Sequence, residues 1–345
     1  MDTRDTAEQA ELRRSARQLA RELGPATVAD LDDATRSKRL SAAVGNAGWL
    51  ELRDDGGNGA PVSSGVEAAI VADALGGAVA DVACSGPLLA GDLARRAGVE
   101  HDNAVVAFGP GLVDVLRADE TRTRDEGYAV DCGADIDVAY VVTPDGPDFR
   151  LAGARIDGAT GGADLTRALR RVVPGAAVTP VAGRPRPLTA DDLTQWRALG
   201  LALTSADLVG VMRGVLGVTV AYAAERRQYG VPIGSFQAVQ HLLAEAHTLM
   251  EGASSVALHA AWAVDSLEPQ AALAAGRVAK AYAARAARTV CETAIQVHGG
   301  IGNTWECVAH VYLRRALLST QWFGDDGEQL LQLGRDRLGG PDGLS

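Results

Sequence analysis

Residues 224–241 read AERRQYGVPIGSFQAVQH. An apolar, helix-like run ends in two arginines, and a second helix-like run begins after a tyrosine, two glycines and a proline. Turn residues alone suffice for a helix–helix corner, so the paired guanidinium groups and the glutamines need a reason. One reason is local: cations at the end of a helix complement the negative end of its dipole. Another is an anion site, because a guanidinium presents a planar fork of donors suited to phosphate. In that case Tyr229 offers a flat face, and Gln228 or Gln237 offers amide hydrogen bonds to a heterocycle.

The segments around this corner are helical. Residues 191–230 place Leu208, Met212, Val215, Thr219 and Tyr222 on one helical face. Residues 235–266 and 269–298 form two further long helical patterns, the latter stopped by Gly299 and Gly300 as a C-cap. A fourth pattern covers residues 306–324. Upstream, helical runs to about Val99 alternate with glycine-rich breaks such as DDGGNGAP. Between Ala104 and Gly183 the β-prone pieces are short and bounded by Gly, Pro or Asp, which implies turns between short strands. The expected class is mainly α with a small β-domain: residues 1–103 an N-terminal helical domain, 104–187 the β-domain, and 188–345 a C-terminal helical bundle.

Composition agrees. Apolar residues are 47% of the 345 but aromatics only 4%, and a core of Ala, Leu and Val favours closely packed helices. A net charge of −11 argues against nucleic acid or an anionic membrane as partner. Cys84, Cys132, Cys291 and Cys307 show no CxxC spacing, and the six histidines form no HxxxH or HExxH pattern, so no metal site is expected. The N-terminal stretch has charges throughout and lacks the apolar core of a signal peptide, and no uninterrupted apolar run is long enough for a bilayer. A soluble, cytoplasmic protein with reduced thiols is the expectation.

A second motif, QVHGGIGNTWE at 296–306, carries three glycines that permit positive φ and close backbone approach. Taken alone it is a helix-terminating loop. It follows a helix rather than a strand, so it is not a dinucleotide-binding fingerprint.

Taken together, ERRQYG…FQAVQH, AIQVHGGIG and YLRRA resemble the C-terminal bundle of the acyl-CoA dehydrogenase family, and GWLELRDDGGNG followed by VEAAIVADALGG is similar to that family's N-terminal helical domain. The resemblance implies an N-terminal helical domain, a middle β-domain and a C-terminal four-helix bundle. It also implies an FAD flavoprotein, assembled as dimers or tetramers, that desaturates acyl-CoA thioesters between the α and β carbons. An electron-transfer flavoprotein is the acceptor it implies. By resemblance, Arg226 contacts the FAD pyrophosphate in a neighbouring subunit, Tyr229 lies near the flavin nucleotide, and Gln237, Gln296, Gly299 and Gly300 supply further contacts on that side. Arg227 reads as a surface charge, and His298 as a loop hydrogen-bonder.

Two departures stand out. The reaction needs a carboxylate base for the α-proton, and burial can raise a glutamate towards neutrality for that role. The two family positions for this base are Phe323 and Gly200 here. The β-region, which contains no tryptophan, also looks shortened and lacks the Trp-Ile-Thr-like segment that lines the flavin ring. These departures resemble the shorter, base-lacking subunit of actinobacterial α2β2 acyl-CoA dehydrogenases, which act on bulky steroid-side-chain or steroid-ring CoA thioesters. On that reading a second acyl-CoA dehydrogenase-like subunit supplies the base. One alternative is a self-sufficient homo-oligomer using Asp325, Asp326 or Glu306, although the two aspartates also suit the N-terminus of the next helix. Another is a scaffold that binds no flavin, which leaves Arg226 and Gln296 without a purpose. Asp164, Thr166 and Arg167 suggest only turn and capping chemistry.

Overall fold

The computed structural model describes residues 4–101 and 103–338. Four helices come first: α1 (Ala7–Leu23), α2 (Ala34–Asn46), α3 (Gly65–Gly77) and α4 (Ser85–Ala97). Thr6 and Gln9 form a reciprocal capping box at the start of α1. Gly98, at φ 68°, closes α4 in the left-handed conformation that glycine tolerates.

Seven strands follow: β1 (Val105–Phe108), β2 (Gly127–Val130), β3 (Val138–Asp145), β4 (Asp148–Arg155), β5 (Ala159–Thr160), β6 (Leu169–Val172) and β7 (Val178–Pro180). They form one sheet in the order β5-β6-β2-β1-β3-β4-β7, with β1 and β3 parallel and the other pairs antiparallel. Successive side chains of a strand point to opposite faces. Val105 and Ala107 of β1 therefore join Val141 and Ala152 in the sheet's own core. Val106 and Phe108 point the other way, into the helical core. That alternation aims Phe108 at the site described below.

Helix α5 (Ala190–Glu225) is 36 residues, about 54 Å long, and starts in a second capping box, Thr189 with Asp192. By length and composition α5 is apolar enough to cross a membrane, although Asp207 and Arg213 interrupt its apolar run. Its most apolar window is 78% buried inside the protein, which is the pattern of a central core helix. Helices α6 (Gln237–Ser266), α7 (Pro269–His298) and α8 (Ala309–Gln321) pack around it, and α9 (Asp326–Leu338) adds a fifth helix against α7. On its other side α5 lies close to α3. A methyl group on Gly210 would strike the Asp73 carbonyl, and one on Gly76 would strike that of Asp207.

The corner differs in one respect from the sequence expectation. The arginine pair does not close the helix: α5 ends at Glu225, and Arg226 leaves it with an extended backbone (φ −67°, ψ 124°). Arg227–Gln228 (β8) then pairs with Val231–Pro232 (β9) across a tight hairpin. Tyr229 (φ 51°) and Gly230 (φ 82°) both take left-handed backbone, as a two-residue hairpin turn requires.

Candidate functional site

Gly200 and Phe323, the two positions at which the resemblance implies a base, are in direct contact. A methyl group on Gly200 would fall inside the ring of Phe323, against Cζ and both Cε atoms. Phe323 is 1% exposed and follows α8 at φ 68°, a backbone region that costs a non-glycine residue roughly 1–3 kcal/mol. Two hydrogen bonds hold that backbone: the Phe323 N–H donates to Leu112 O at 2.8 Å, and its carbonyl accepts from Gln329 Nε2 at 2.7 Å. The ring sits 5.1 Å from Phe108 and 5.3 Å from Trp196 between centroids, with Trp322 at 5.9 Å. Trp196 is fixed by donating Nε1–H to Leu89 O at 2.9 Å. All four aromatics are buried, so the volume around Gly200 is filled by edge and face contacts.

None of the three alternative carboxylates reaches the aromatic cluster, and two of them are engaged elsewhere. Asp325 accepts from the Glu328 N–H at 2.9 Å and caps α9, Asp326 pairs with Arg285 at 3.2 Å, and Glu306 is exposed in the turn before α8.

Behind the aromatic cluster lies a buried polar network that sequence reasoning missed. Asp207 of α5 accepts from Arg315 and Arg167, each at 2.8 Å, and from Ser319 Oγ at 2.7 Å. Arg315 also donates to Ala80 O at 2.8 Å and to Thr166 Oγ1 at 3.0 Å. Arg167 lies 3.6 Å from Asp131 and over the Trp322 ring at 5.7 Å. Asp131 in turn accepts from the N–H groups of Cys84 and Gly86 at the start of α4, at 3.0 and 3.1 Å. Lys280 of α7 donates to the carbonyls of Ser319 and Trp322, and so anchors the loop that carries Phe323. Asp164 keeps its expected turn role, accepting from Thr166 N at 2.8 Å, while Arg167 is a buried ion-pair member rather than a capping residue.

Burial pushes the Asp207 carboxyl up, but Arg167 and Arg315 outweigh it and hold the group below the usual carboxylate range. Burial lowers the Lys280 ammonium to about 7, opposed by Asp207 and reinforced by Arg167. A sequence signal for this network existed. Asp207 is the sole charged residue between Arg197 and Arg213 on an apolar helix, and a lone buried charge needs partners.

The corner gathers the remaining predicted residues along one exposed edge. Tyr222 stacks on His298 at 4.4 Å and donates its hydroxyl to His298 O at 3.4 Å, which ties the end of α5 to the end of α7. His298 itself contacts Ala294 O through Nδ1 at 2.8 Å. Arg226 is one turn beyond Tyr222, and Gln296, Gly299 and Gly300 adjoin His298, so both motifs lie at the same end of the bundle. Arg226, Gln228, Gln237 and Gln296 are exposed, and Tyr229 is 93% exposed with the Phe236 ring at 6.3 Å beside its own. Among the described residues, no side-chain hydrogen bond or ion pair engages the Arg226 guanidinium, whereas Arg227 closes the hairpin onto Gly230 O at 3.3 Å. Gly299 takes φ 67°, and a methyl group on it or on Gly300 would meet nothing within 4 Å. The edge is therefore a free guanidinium, an aromatic face and amides beside bare backbone, a donor set suited to a nucleotide approaching from outside the chain.

Known proteins share parts of this sequence and its fold. Residues 198–338 match the family described as acyl-CoA dehydrogenase, C-terminal domain. Acyl-CoA dehydrogenase IpdE2 of Mycolicibacterium smegmatis is 37% identical over 172 residues, which are 49% of this chain and 49% of that protein. The chain spans about half the length, or less, of the curated relatives it matches. Among solved structures, the ChsE4–ChsE5 complex from Mycobacterium tuberculosis superposes with a TM-score of 0.79 at 23% identity, over 99% of this chain and 100% of that one. The Tcur3481–Tcur3483 steroid ACAD gives a TM-score of 0.76 at 22% identity, over 95% and 96%.

Proposed function

We propose, from the match of residues 198–338 to the acyl-CoA dehydrogenase C-terminal domain and from the fold the whole chain shares with solved members, that the protein is the base-lacking subunit of a hetero-oligomeric, FAD-dependent acyl-CoA dehydrogenase. The observation that carries this reading is the Phe323 ring seated on Gly200: both positions for a base are spent on an aromatic plug. A second acyl-CoA dehydrogenase-like subunit then provides the carboxylate, and the ChsE4–ChsE5 complex is a precedent for pairing within this fold.

Solved structures of this fold carry FAD, and the exposed corner fits it. FAD supplies the hydride acceptor for α,β-desaturation. Arg226, whose guanidinium no side chain engages among the described residues, would hold the pyrophosphate, and Tyr229 would offer an aromatic face to the nucleotide. Gln228, Gln237 and Gln296 offer amides, and Gly299 and Gly300 admit close approach. Phe108, Trp196, Trp322 and Phe323 keep the chain's own base position dry and without a proton acceptor. The three zones, 1–103, 104–187 and 188–345, act as helical, β and bundle domains in this reading. A bulky, steroid-type CoA thioester as substrate, an electron-transfer flavoprotein as acceptor and a cytoplasmic setting complete it, the substrate class being supported by the likeness to a steroid ACAD.

The test is expression alone and with a partner encoded nearby, followed by flavin absorbance. The lone chain is expected to be colourless and the complex yellow. A lone chain holding stoichiometric FAD and reducing dye with acyl-CoA overturns the reading. A complex without flavin marks the chain as a scaffold.

A further inference from the structure

Midway along α5 is a charged cavity that the proposed function does not use. Asp73 of α3 is nearly buried, its side chain 7% exposed, and three guanidiniums converge on it. Arg17 reaches it at 2.9 Å, Arg213 at 3.4 Å and Arg13 at 3.6 Å. Arg13 is otherwise engaged, donating to both oxygens of Asp5 at 2.8 and 3.0 Å. Arg17 and Arg213 each spend a single nitrogen on Asp73, so most of each donor fork remains available. In a chain of net charge −11, this is a local excess of positive charge.

Two adjoining cavities open onto this cluster, of about 290 and 550 Å³, and Arg17, Asp73 and Arg213 line both. Their other walls are largely apolar, with Ile70, Val209 and Ala257 in the smaller and Ala74, Val218 and Tyr312 in the larger. A few convergent charges in a mainly apolar cavity of this size is the usual composition of a small-molecule site. Gly217 of α5 lines the larger cavity, and a methyl group there would meet nothing within 4 Å. Arg213 is 13 residues from both Gly200 and Arg226, about 20 Å along the helix in either direction.

We propose that the two cavities form one binding site for an amphipathic organic anion, its oxyanion head bound by Arg17 and Arg213 and its apolar body lying along α3 and α5. The head replaces no existing pair, because Asp73 occupies only one nitrogen of each guanidinium. The apolar walls make the body a requirement rather than an accessory.

The test uses the purified full-length chain and the fluorescent anion 8-anilinonaphthalene-1-sulfonate, with decanoate and inorganic phosphate as competitors. Saturable fluorescence that decanoate displaces and phosphate does not is the expected result. Gly217→Leu, which fills the larger cavity on a helix that leucine favours over glycine, and Arg213→Gln should each weaken binding about tenfold or more. Arg124→Gln, at an exposed ion pair with Asp119, should not. Binding unchanged in both cavity variants overturns the proposal, as does the absence of saturable binding. Phosphate competing as well as decanoate also overturns it, because the site would then read charge alone.

Discussion

The ring of Phe323 rests on the bare backbone of Gly200, filling the volume that any side chain at that point of α5 would need. Replacing a mid-helix glycine by alanine ordinarily gains about 0.5–1 kcal/mol. Here the sign should reverse, because overpacking a filled core costs about 1–3 kcal/mol. Phe323→Ala alone should cost about 3–5 kcal/mol through the cavity it leaves. The double variant should cost less than the sum, since each change makes room for the other. Urea unfolding of the four proteins measures this, and strict additivity would show that the two residues do not compete for one space.

Arg226→Ala should leave folding within about 0.5 kcal/mol of the parent, because the side chain is exposed and bonded to nothing among the described residues. FAD retention by the assembled complex should fall about tenfold or more, the worth of a hydrogen bond to a charged group. Unchanged retention on gel filtration would reduce the corner to a structural hairpin.

Asp207→Asn should be among the most destabilising single changes in the chain. It leaves Arg167 and Arg315 buried without their shared counter-charge, and breaking a buried pair in this way costs about 3–5 kcal/mol. Thermal unfolding reads the loss. Exposed pairs such as Arg124–Asp119, neutralised in parallel, should shift it by about 1 kcal/mol at most.

Lys280 predicts a pH dependence with a definite sign. Burial lowers its ammonium to about 7, against about 10.4 in an unfolded chain. Between those values the unfolded state binds more protons, so this group makes stability rise as pH increases through that window. Below about pH 7 both states are protonated and its contribution is constant. Lys280→Met should be less stable throughout, because the Ser319 and Trp322 carbonyls lose their donor, but its stability should climb less between pH 7 and 9 than that of the parent. Parallel urea titrations at several pH values compare the slopes, and equal slopes would mean that Lys280 stays charged when folded.

Much of the architecture is local in origin and was legible in residue order. Apolar spacing marked the long helices, Gly299 and Gly300 marked the stop of α7, and alternating β-prone pieces between turn residues marked the sheet. The identities at 200 and 323 already excluded a carboxylate at either place. The backbone after Glu225 was not legible, because whether two arginines continue a helix or enter a hairpin depends on what Tyr229 and Gly230 are made to adopt. The partners of Asp207 were not legible either: Arg167 and Arg315 lie on separate elements, and no periodicity records which faces meet. The same holds for the convergence of Arg13, Arg17 and Arg213 on Asp73. The sequence by itself determined which residues were present and which segments coil or extend, since both follow from short-range chemistry. Only the tertiary structure decided that Gly200 and Phe323 close on each other, because that requires two elements over a hundred residues apart to share one packed volume.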